Sequence, residues 1–394
     1  MSNEQKYLSL DLVDEVESVF EKETEGNSTD DYPISNPYDP RLIRVDTKTF
    51  SLRNVMDMIE DQELDLAPDF QRMRVWSKAQ KSRLIESILL RIPLPAFYFS
   101  SDSNGFMQVV DGVQRLSTIF DFVRGNSFGL QYMEYLDKEL GGANYRKLEN
   151  TIWGKRINTT QITVNVIDPQ TPTRVKFDIF KRINTGGTPL NSQEIRHCMS
   201  GYKSRDILAR LTALRSFNEA TGGKISGHIR MMDRELVLRW IAFTLPYIYG
   251  ANSWEIGYAS MEDFLNETSE YLENSGPELA EHLIKLFDHT MRLAYYLFDG
   301  EPFRKMNYEK NKRYPINKAL FESISVQLTK FVNEGEILIK NKELIQRRFV
   351  NMCNVDHFND SITVATSNQT KIAYRHQYLY QLFKSIVDEQ NINY

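Results

Sequence analysis

Along the first half of the chain the apolar positions switch between a spacing of three to four and a spacing of two. After residue 205 they keep to the helical spacing. The pattern predicts a helix over 51–61. Ser77 and Gln80 form a capping box that opens a second helix, which runs to Leu90 and is stopped by Pro93 and Pro95. Strands follow at 96–100 (AFYFS) and 106–110 (FMQVV). Asp111-Gly112 then turns the chain into a helix with Leu116, Ile119, Phe120 and Val123 on one face. ITVNVI at 162–167 alternates as a half-buried strand. A helix over 173–183 ends in Asn184-Thr185-Gly186-Gly187, a glycine stop, and Asn191 with Glu194 caps the next helix. Beyond 205, RELVLRWIAFTL (234–245) and the stretches 278–298, 316–332 and 336–352 read as amphipathic helices. The fold class is α+β, with a mostly α-helical C-terminal domain. The expected divisions are an acidic arm over 1–40, an α+β domain over 41–203 and a helical domain over 204–394.

Charge changes the picture at the N-terminus. Residues 1–40 hold eleven acidic and two basic residues. They carry −9 of a net −5, so the body is +4. The arm is either a solvated tail, the commoner case, or a cover for a basic surface. Leu8, Leu12, Val16 and Phe20 at spacings of four would place a short amphipathic helix within it, and 21–40 reads as a linker or an ordered arm. The start of the chain lacks the basic segment and apolar run of a secretory signal, and no run is long enough for a membrane helix. The expected location is cytoplasmic. The only two cysteines, Cys198 and Cys353, and six scattered histidines argue against a disulfide framework and a protein-built metal cage.

Three clusters can carry chemistry. In Val109-Val110-Asp111-Gly112-Val113-Gln114-Arg115-Leu116 a strand ends, glycine permits a tight turn and a helix begins at once. The unpaired N–H groups and positive dipole at that helix start suit an anion. Arg115 would grip a phosphate through two N–H groups, Gln114 adds a donor and acceptor, and Asp111 would bind Mg²⁺ or orient a water. The structural alternative is a helix cap at Asp111 with Arg115 paired to a surface carboxylate. In the second cluster, Phe70 and Trp76 anchor a loop that carries Gln71, Arg72 and Arg74, suited to a phosphate or a base. Aromatic packing with solvated arginines is the alternative. In the third, Lys181 and Arg182 precede Asn184, Thr185, Gly186 and Gly187, a possible phosphate nest or a plain helix stop.

Weaker candidates are Arg230, Asp233 and Glu235, which also read as an ion-pair network, and the basic segment Lys312, Arg313, Asn317 and Lys318, suited to DNA or to a solvated helix start. Asp356-His357-Phe358-Asn359 only faintly follows a histidine nuclease motif. His376, Tyr374, Tyr378 and Tyr380 read as helix packing.

Taken together and in this order, FQRMRVW, LIESILLRIPLP, DGVQRLSTI and FKRINTGGTPLNSQEIR resemble the DUF262 family, that of the GmrSD restriction-endonuclease N-terminal domain. The resemblance runs over roughly 45–385, through MMDRELVLRWIAF and YPINKALFE. It implies a ParB/sulfiredoxin-like fold, with the DGxQR segment where that fold binds nucleotide phosphates. It also implies a role in defence against phage or modified foreign DNA. Nucleotide binding or hydrolysis carries over to Asp111, Gly112, Gln114 and Arg115, and next to Gln71, Arg72, Asn184 and Gly186. Val113 departs from the polar residue of the family's DGQQR. The C-terminal half lacks a histidine–asparagine nuclease domain and is similar to stand-alone members.

The leading expectation is therefore an Mg²⁺-dependent nucleoside triphosphatase in a DNA-directed defence system, with DNA and a partner effector protein as partners. Arg72, Arg182, Asn184, Thr185 and Gly186 would close over the nucleotide. A nuclease or nickase using the same cleft, and a non-catalytic module that binds nucleotide or DNA and recruits a partner, are the alternatives.

Overall fold

The computed structural model describes residues 19–21, 39–66, 76–102, 105–183, 190–228, 230–250, 257–307 and 313–391. The chain divides into two units. One spans Asn36–Met199; the other takes the chain from Ser200 onward together with Val19–Glu21.

The first unit is α+β. Its order is β1 (Val45–Ser51), α1 (Leu52–Glu60), β2 (Leu64–Asp65), α2 (Lys78–Leu89), β3 (Phe97–Ser101), β4 (Met107–Asp111) and α3 (Val113–Val123). Then come α4 (Asp137–Leu140), α5 (Tyr145–Leu148), α6 (Ile152–Thr159), β5 (Gln161–Ile167), α7 (Thr173–Ile183) and α8 (Ser192–Met199). The five strands form one mixed sheet in the order β1-β5-β3-β4-β2. β1 and β5 pair antiparallel, as do β3 and β4, while β3 runs parallel to β5 and β2 parallel to β4. Both predicted capping boxes are present. Ser77 accepts from Gln80 N at 3.3 Å while Gln80 Oε1 accepts from Ser77 N at 2.9 Å. Asn191 Oδ1 accepts from Glu194 N at 2.8 Å while Glu194 Oε2 accepts from Asn191 N at 2.7 Å.

β1 has no counterpart in the sequence pattern. It is an edge strand whose first five residues are exposed, so it shows no apolar alternation, and its seven-residue pairing with β5 holds it. The core lies between the sheet and the helices. Phe97, Phe99, Val109 and Val164 from the strands meet Ile85, Ile88, Leu116, Ile119 and Phe122 from α2 and α3. Full burial of each such side chain is worth roughly 1.5–3 kcal/mol.

The second unit is helical. It comprises α9 (Tyr202–Thr212), α10 (Arg215–Ala220), α11 (Met232–Ile248), α12 (Met261–Asn274), α13 (Pro277–Leu297), α14 (Lys318–Thr329), α15 (Gly335–Lys340), α16 (Lys342–Cys353), α17 (Asp356–Ser361) and α18 (Gln369–Asn391). α14 is its central helix. Every residue from Ala319 to Thr329 is buried, and α11, α13 and α18 pack around it. Its polar side chains are bonded inward: Ser323 to Ala319 O, Ser325 to Phe321 O, and Thr329 to Ser325 O while accepting from Trp240 Nε1 at 3.0 Å. Glu322 is fully buried, yet its carboxylate takes Arg375 Nη2 at 2.6 Å, Arg239 Nη1 at 3.2 Å and His376 Nε2 at 3.2 Å. Burial disfavours the Glu322 charge, but the two arginines and the histidine outweigh it and hold the carboxyl well below its usual range.

The arm joins this unit at Val19–Glu21. The short helix expected from Leu8, Leu12, Val16 and Phe20 falls on residues 1–18, outside the described residues, except at Phe20, which forms a parallel bridge to Ile316. The Phe20 ring is buried in the helical core. Glu21 pairs with Lys305 at 2.7 Å and accepts from Asn317 Nδ2 at 2.8 Å. At these three residues the arm packs on the helical unit.

Candidate functional site

The DGVQR segment lies where β4 meets α3. β4 reaches Asp111 with a bulge, since Tyr98 opposes Asp111 while Phe99 opposes Val109. Gly112 follows at φ +97° and serves as the N-cap of α3. A Cβ at this position would lie 2.3 Å from Phe97 Cδ1 and 2.8 Å from Cε1. Glycine is thus required twice, by the dihedral angle and by the close approach of the ring. Having no side chain, Gly112 cannot cap the helix. The first helical bond is Leu116 N–H to Gly112 O, which leaves the N–H groups of Val113, Gln114 and Arg115 without a partner among the described residues.

Arg115 turns back instead of outward. Its Nη1 donates to Pro95 O at 2.5 Å; its Nη2 donates to Ala96 O at 3.2 Å and to Asp111 Oδ2 at 2.9 Å. The guanidinium stacks over the Phe97 ring at 4.1 Å. Burial pulls its pKa below the ordinary arginine range and the Asp111 charge partly offsets this, leaving it protonated. The side chain is 14% exposed, against 35% for Asp111. Asp111 Oδ1 has no hydrogen-bond partner among the described residues. The turn therefore presents three orphan N–H donors and a half-open carboxylate, with Arg115 locking the two together.

Residues 52–199 match the family model of the GmrSD restriction endonuclease, N-terminal domain. The first unit carries a GmrSD N-terminal-like domain. No curated protein matches the chain.

In this GmrSD-like domain the matched segment begins at α1 and ends with α8, so it includes the whole β4–α3 turn. Arg182 lies exposed near the C-terminal end of α7, a helix that packs against β4. Gln71, Arg72 and Arg74 lie outside the described residues, as do Asn184, Thr185, Gly186 and Gly187. Trp76, the expected anchor of the Phe70–Trp76 loop, packs half-buried against the domain core. Later in the sequence, α8 buries Gln193, Glu194, Arg196 and His197.

The weaker candidates fall into structural roles. Asp233 is buried and accepts from Gly227 N at 2.9 Å and Arg234 N at 2.8 Å; burial raises its pKa despite these bonds. Glu235 pairs with Arg239 at 3.1 Å. Asn317 caps α14 by accepting from Leu320 N at 2.8 Å, and Lys318 lies 3.9 Å from Glu235. Lys312 is outside the described residues, and Arg313 is taken up below. Asp356, His357 and Asn359 lie exposed on α17 while Phe358 is buried. His376 packs inside the helical unit, as expected.

Two features of the domain escaped sequence reasoning. The carbonyls of Pro95 and Ala96 and the Phe97 ring hold Arg115; the proline-rich lead-in to β3 was the only signal. Glu86 sits in the middle of the LIESIL segment, where helical periodicity gives it no role. Its carboxylate accepts from the backbone N–H groups of Glu134 at 2.9 Å, Tyr135 at 2.7 Å and Leu136 at 2.8 Å. Burial opposes the Glu86 charge, but the three N–H bonds and the charge of Arg83 prevail, so its pKa is lowered. Among the described residues no three His, Cys, Asp or Glu side chains group as a metal cage, and no helix is long and apolar enough to cross a membrane.

Proposed function

We propose that the GmrSD-like domain binds and hydrolyses a nucleoside triphosphate at the β4–α3 turn, in a protein of a restriction-like, DNA-directed defence system. One observation carries the reading: an uncapped helix N-terminus, on a turn that only glycine can form, beside a half-open carboxylate. The N–H groups of Val113, Gln114 and Arg115 converge on the space where a phosphate would sit, and the helix dipole favours its charge. In this reading Arg115 is a positioning residue. Its side chain holds the turn and Asp111 in place, while its backbone N–H meets the phosphate. The Gln114 side chain, half-buried in the first turn, supplies a further donor. Gln71, Arg72, Arg182, Asn184, Thr185 and Gly186 would close over the nucleotide.

Mg²⁺ fits this donor set. A single carboxylate oxygen free of protein partners, together with substrate phosphate oxygens, is the ordinary magnesium arrangement in phosphoryl transfer. Asp111 Oδ1 would hold it, and the ion would neutralise developing charge on the transferred group. The chain's own part is orientation and charge stabilisation by preorganised donors. DNA enters as the target implied by the restriction-endonuclease family name, and an effector protein as the natural recipient of a nucleotide-driven switch.

The test is phosphate release from each of the four ribonucleoside triphosphates with Mg²⁺, with and without DNA. Wild type is expected to turn over at least one of them, and Arg115→Ala and Asp111→Asn to lose turnover. Unchanged turnover in Arg115→Ala would remove its role, and the absence of turnover with every triphosphate would remove the hydrolase reading. Plasmid cutting that needs Mg²⁺ and is abolished by Asp111→Asn would place a nuclease at the same turn instead.

A further inference from the structure

The helical unit holds a second cluster of cations that the proposed chemistry does not use. α10 ends in Thr221-Gly222-Gly223-Lys224, with Gly222 at φ +72° and Gly223 at φ +75°. The backbone of this turn is closed on itself. Gly222 N–H donates to Glu219 O at 3.1 Å, Gly223 N–H to Asn218 O at 2.8 Å, and Thr221 Oγ1 to Phe217 O at 2.7 Å. The N–H groups of Thr221, Gly222 and Gly223 are thus spent on the helix end, so a ligand beside Gly222 must be held by side chains.

Two arginines supply them. At the position a Cβ on Gly222 would occupy, the only heavy atoms within 4 Å among the described residues are Arg313 Nη2 at 3.4 Å and Arg304 Nη2 at 3.8 Å. Gly222 itself is exposed, so the space is reached from solvent. Arg304 is 9% exposed and anchored, with Nη1 donating to Tyr314 O. Arg313 reaches the same point from a side chain that is 56% exposed. A single carboxylate serves both: Glu301 Oε1 lies 2.5 Å from Arg313 Nε and 3.8 Å from Arg304 Nε. Burial lowers the Arg304 pKa first and the neighbouring Arg313 charge lowers it further, which Glu301 only partly offsets.

Holding one guanidinium nine-tenths buried beside a second, with one carboxylate between them, leaves a net positive charge facing a gap that no other side chain among the described residues fills. Such an arrangement costs free energy unless an anion completes it. Glu301 engages the Nε edges and leaves the Nη2 groups pointing to the gap at Gly222. Two guanidinium groups flanking an opening without a side chain match a tetrahedral oxyanion with several acceptor oxygens. We infer that Arg304, Arg313 and the open face of Gly222 form a phosphate-binding site in the helical unit. The phosphate is either a phosphodiester of a nucleic-acid backbone or a small phosphate compound. The two sources share this chemistry and separate by experiment.

Two variants test it in the full chain. Arg313→Gln removes the more exposed fork with little risk to folding. Gly222→Asp keeps both arginines and puts a tethered carboxylate in the gap, at a positive φ that aspartate tolerates. The first arm is thermal unfolding with inorganic phosphate at constant ionic strength. Phosphate held at the α3 turn would protect every variant equally, so only the difference from wild type reports on this site. The second arm is duplex DNA binding over a salt series. Backbone phosphate as the source predicts that both variants weaken DNA binding about tenfold and reduce the slope of log affinity against log salt by about one. A small phosphate as the source predicts lost protection by inorganic phosphate in both variants, with DNA binding unchanged. Wild-type behaviour of Arg313→Gln in both arms overturns the site. So does loss in Arg313→Gln with full retention in Gly222→Asp, since filling the gap must exclude the ligand.

Discussion

Both units set arginine against carboxylate, and they do so to opposite ends. In the helical unit Glu322 is wholly buried, and Arg375, Arg239 and His376 complete its hydrogen bonding. Arg375 Nη1 donates to Ser361 O and Thr366 O, while its Nε has no hydrogen-bond partner among the described residues. That cluster is closed to solvent: Glu322, Arg375 and His376 are wholly buried, and the bonds tie α11, α14 and α18 together. In the GmrSD-like domain Arg115 and Asp111 sit at the edge of the core, and bonding them to each other leaves Asp111 Oδ1 and three helix N–H groups without a partner among the described residues. The contrast teaches how to read a charged pair. A pair shut away from solvent among its partners is structural, whereas one at the edge of the core that leaves neighbouring donors orphaned marks a place for an external group.

The sharpest way to break this comparison is Glu322→Ala. Stripping one partner from a fully buried cluster leaves uncompensated guanidinium charge and should cost about 3–5 kcal/mol, read as a large loss of stability by denaturant unfolding. If the loss proved no greater than for a surface pair, the closed cluster would not be the keystone of the helical unit. Next comes Gly112→Ala, where the positive φ and the Phe97 clash together should cost roughly 1–3 kcal/mol and abolish nucleotide binding. Substitution at an exposed glycine with open space around it, such as Gly257, serves as the control.

Glu86→Gln should cost about 1–3 kcal/mol, because an amide NH₂ would face one of the three N–H donors. The same residue carries a pH signature. Its folded pKa is lowered, so its stabilisation is complete above the unfolded glutamate value of about 4.3 and is lost as pH falls through the folded value. Acid unfolding of Glu86→Gln should accordingly show a shallower pH dependence than wild type. His376 acts in the same direction at higher pH. Burial lowers its pKa, so stability should decline as pH falls below the unfolded histidine value of about 6.5, and His376→Gln should flatten that decline. The smallest effect on stability belongs to Asp111→Asn. The pair it breaks is half open to solvent and worth about 0–1 kcal/mol, so a near-normal melting temperature with lost turnover is the expected result. A large stability loss there would make the turn structural and dissolve the contrast between the units.

Much of this was legible in the sequence because the signals were local. Ser77 with Gln80 and Asn191 with Glu194 announced two helix starts through bonds three residues apart. Asp111-Gly112 announced the turn because a left-handed residue between strand and helix calls for glycine. The strand β1 was not legible, since an exposed edge strand carries no apolar alternation and is held by its partner β5. Neither was Glu86, whose bonding partners lie 48 to 50 residues further on. Arg115 was found, and so was a carboxylate pairing as one alternative, but its partners Pro95, Ala96 and Phe97 were not. The residues that draw its side chain back, Pro95, Ala96 and Phe97, come from the lead-in to β3 and its first residue, and helical spacing says nothing of them. Gly222 went unremarked because its meaning depends on Arg304 and Arg313, some eighty residues or more away.

By itself the sequence determined the class of each half, the caps and the turn, because propensity, periodicity and glycine's conformational freedom act within a few residues of one another. Only the tertiary structure decided which charges are closed and which are open. Whether a donor is spent depends on what the fold brings to it from distant segments. For Arg115 and Asp111 that was the start of β3; for Glu322 it was α11 and α18; for Arg304 and Arg313 it was a glycine with no side chain.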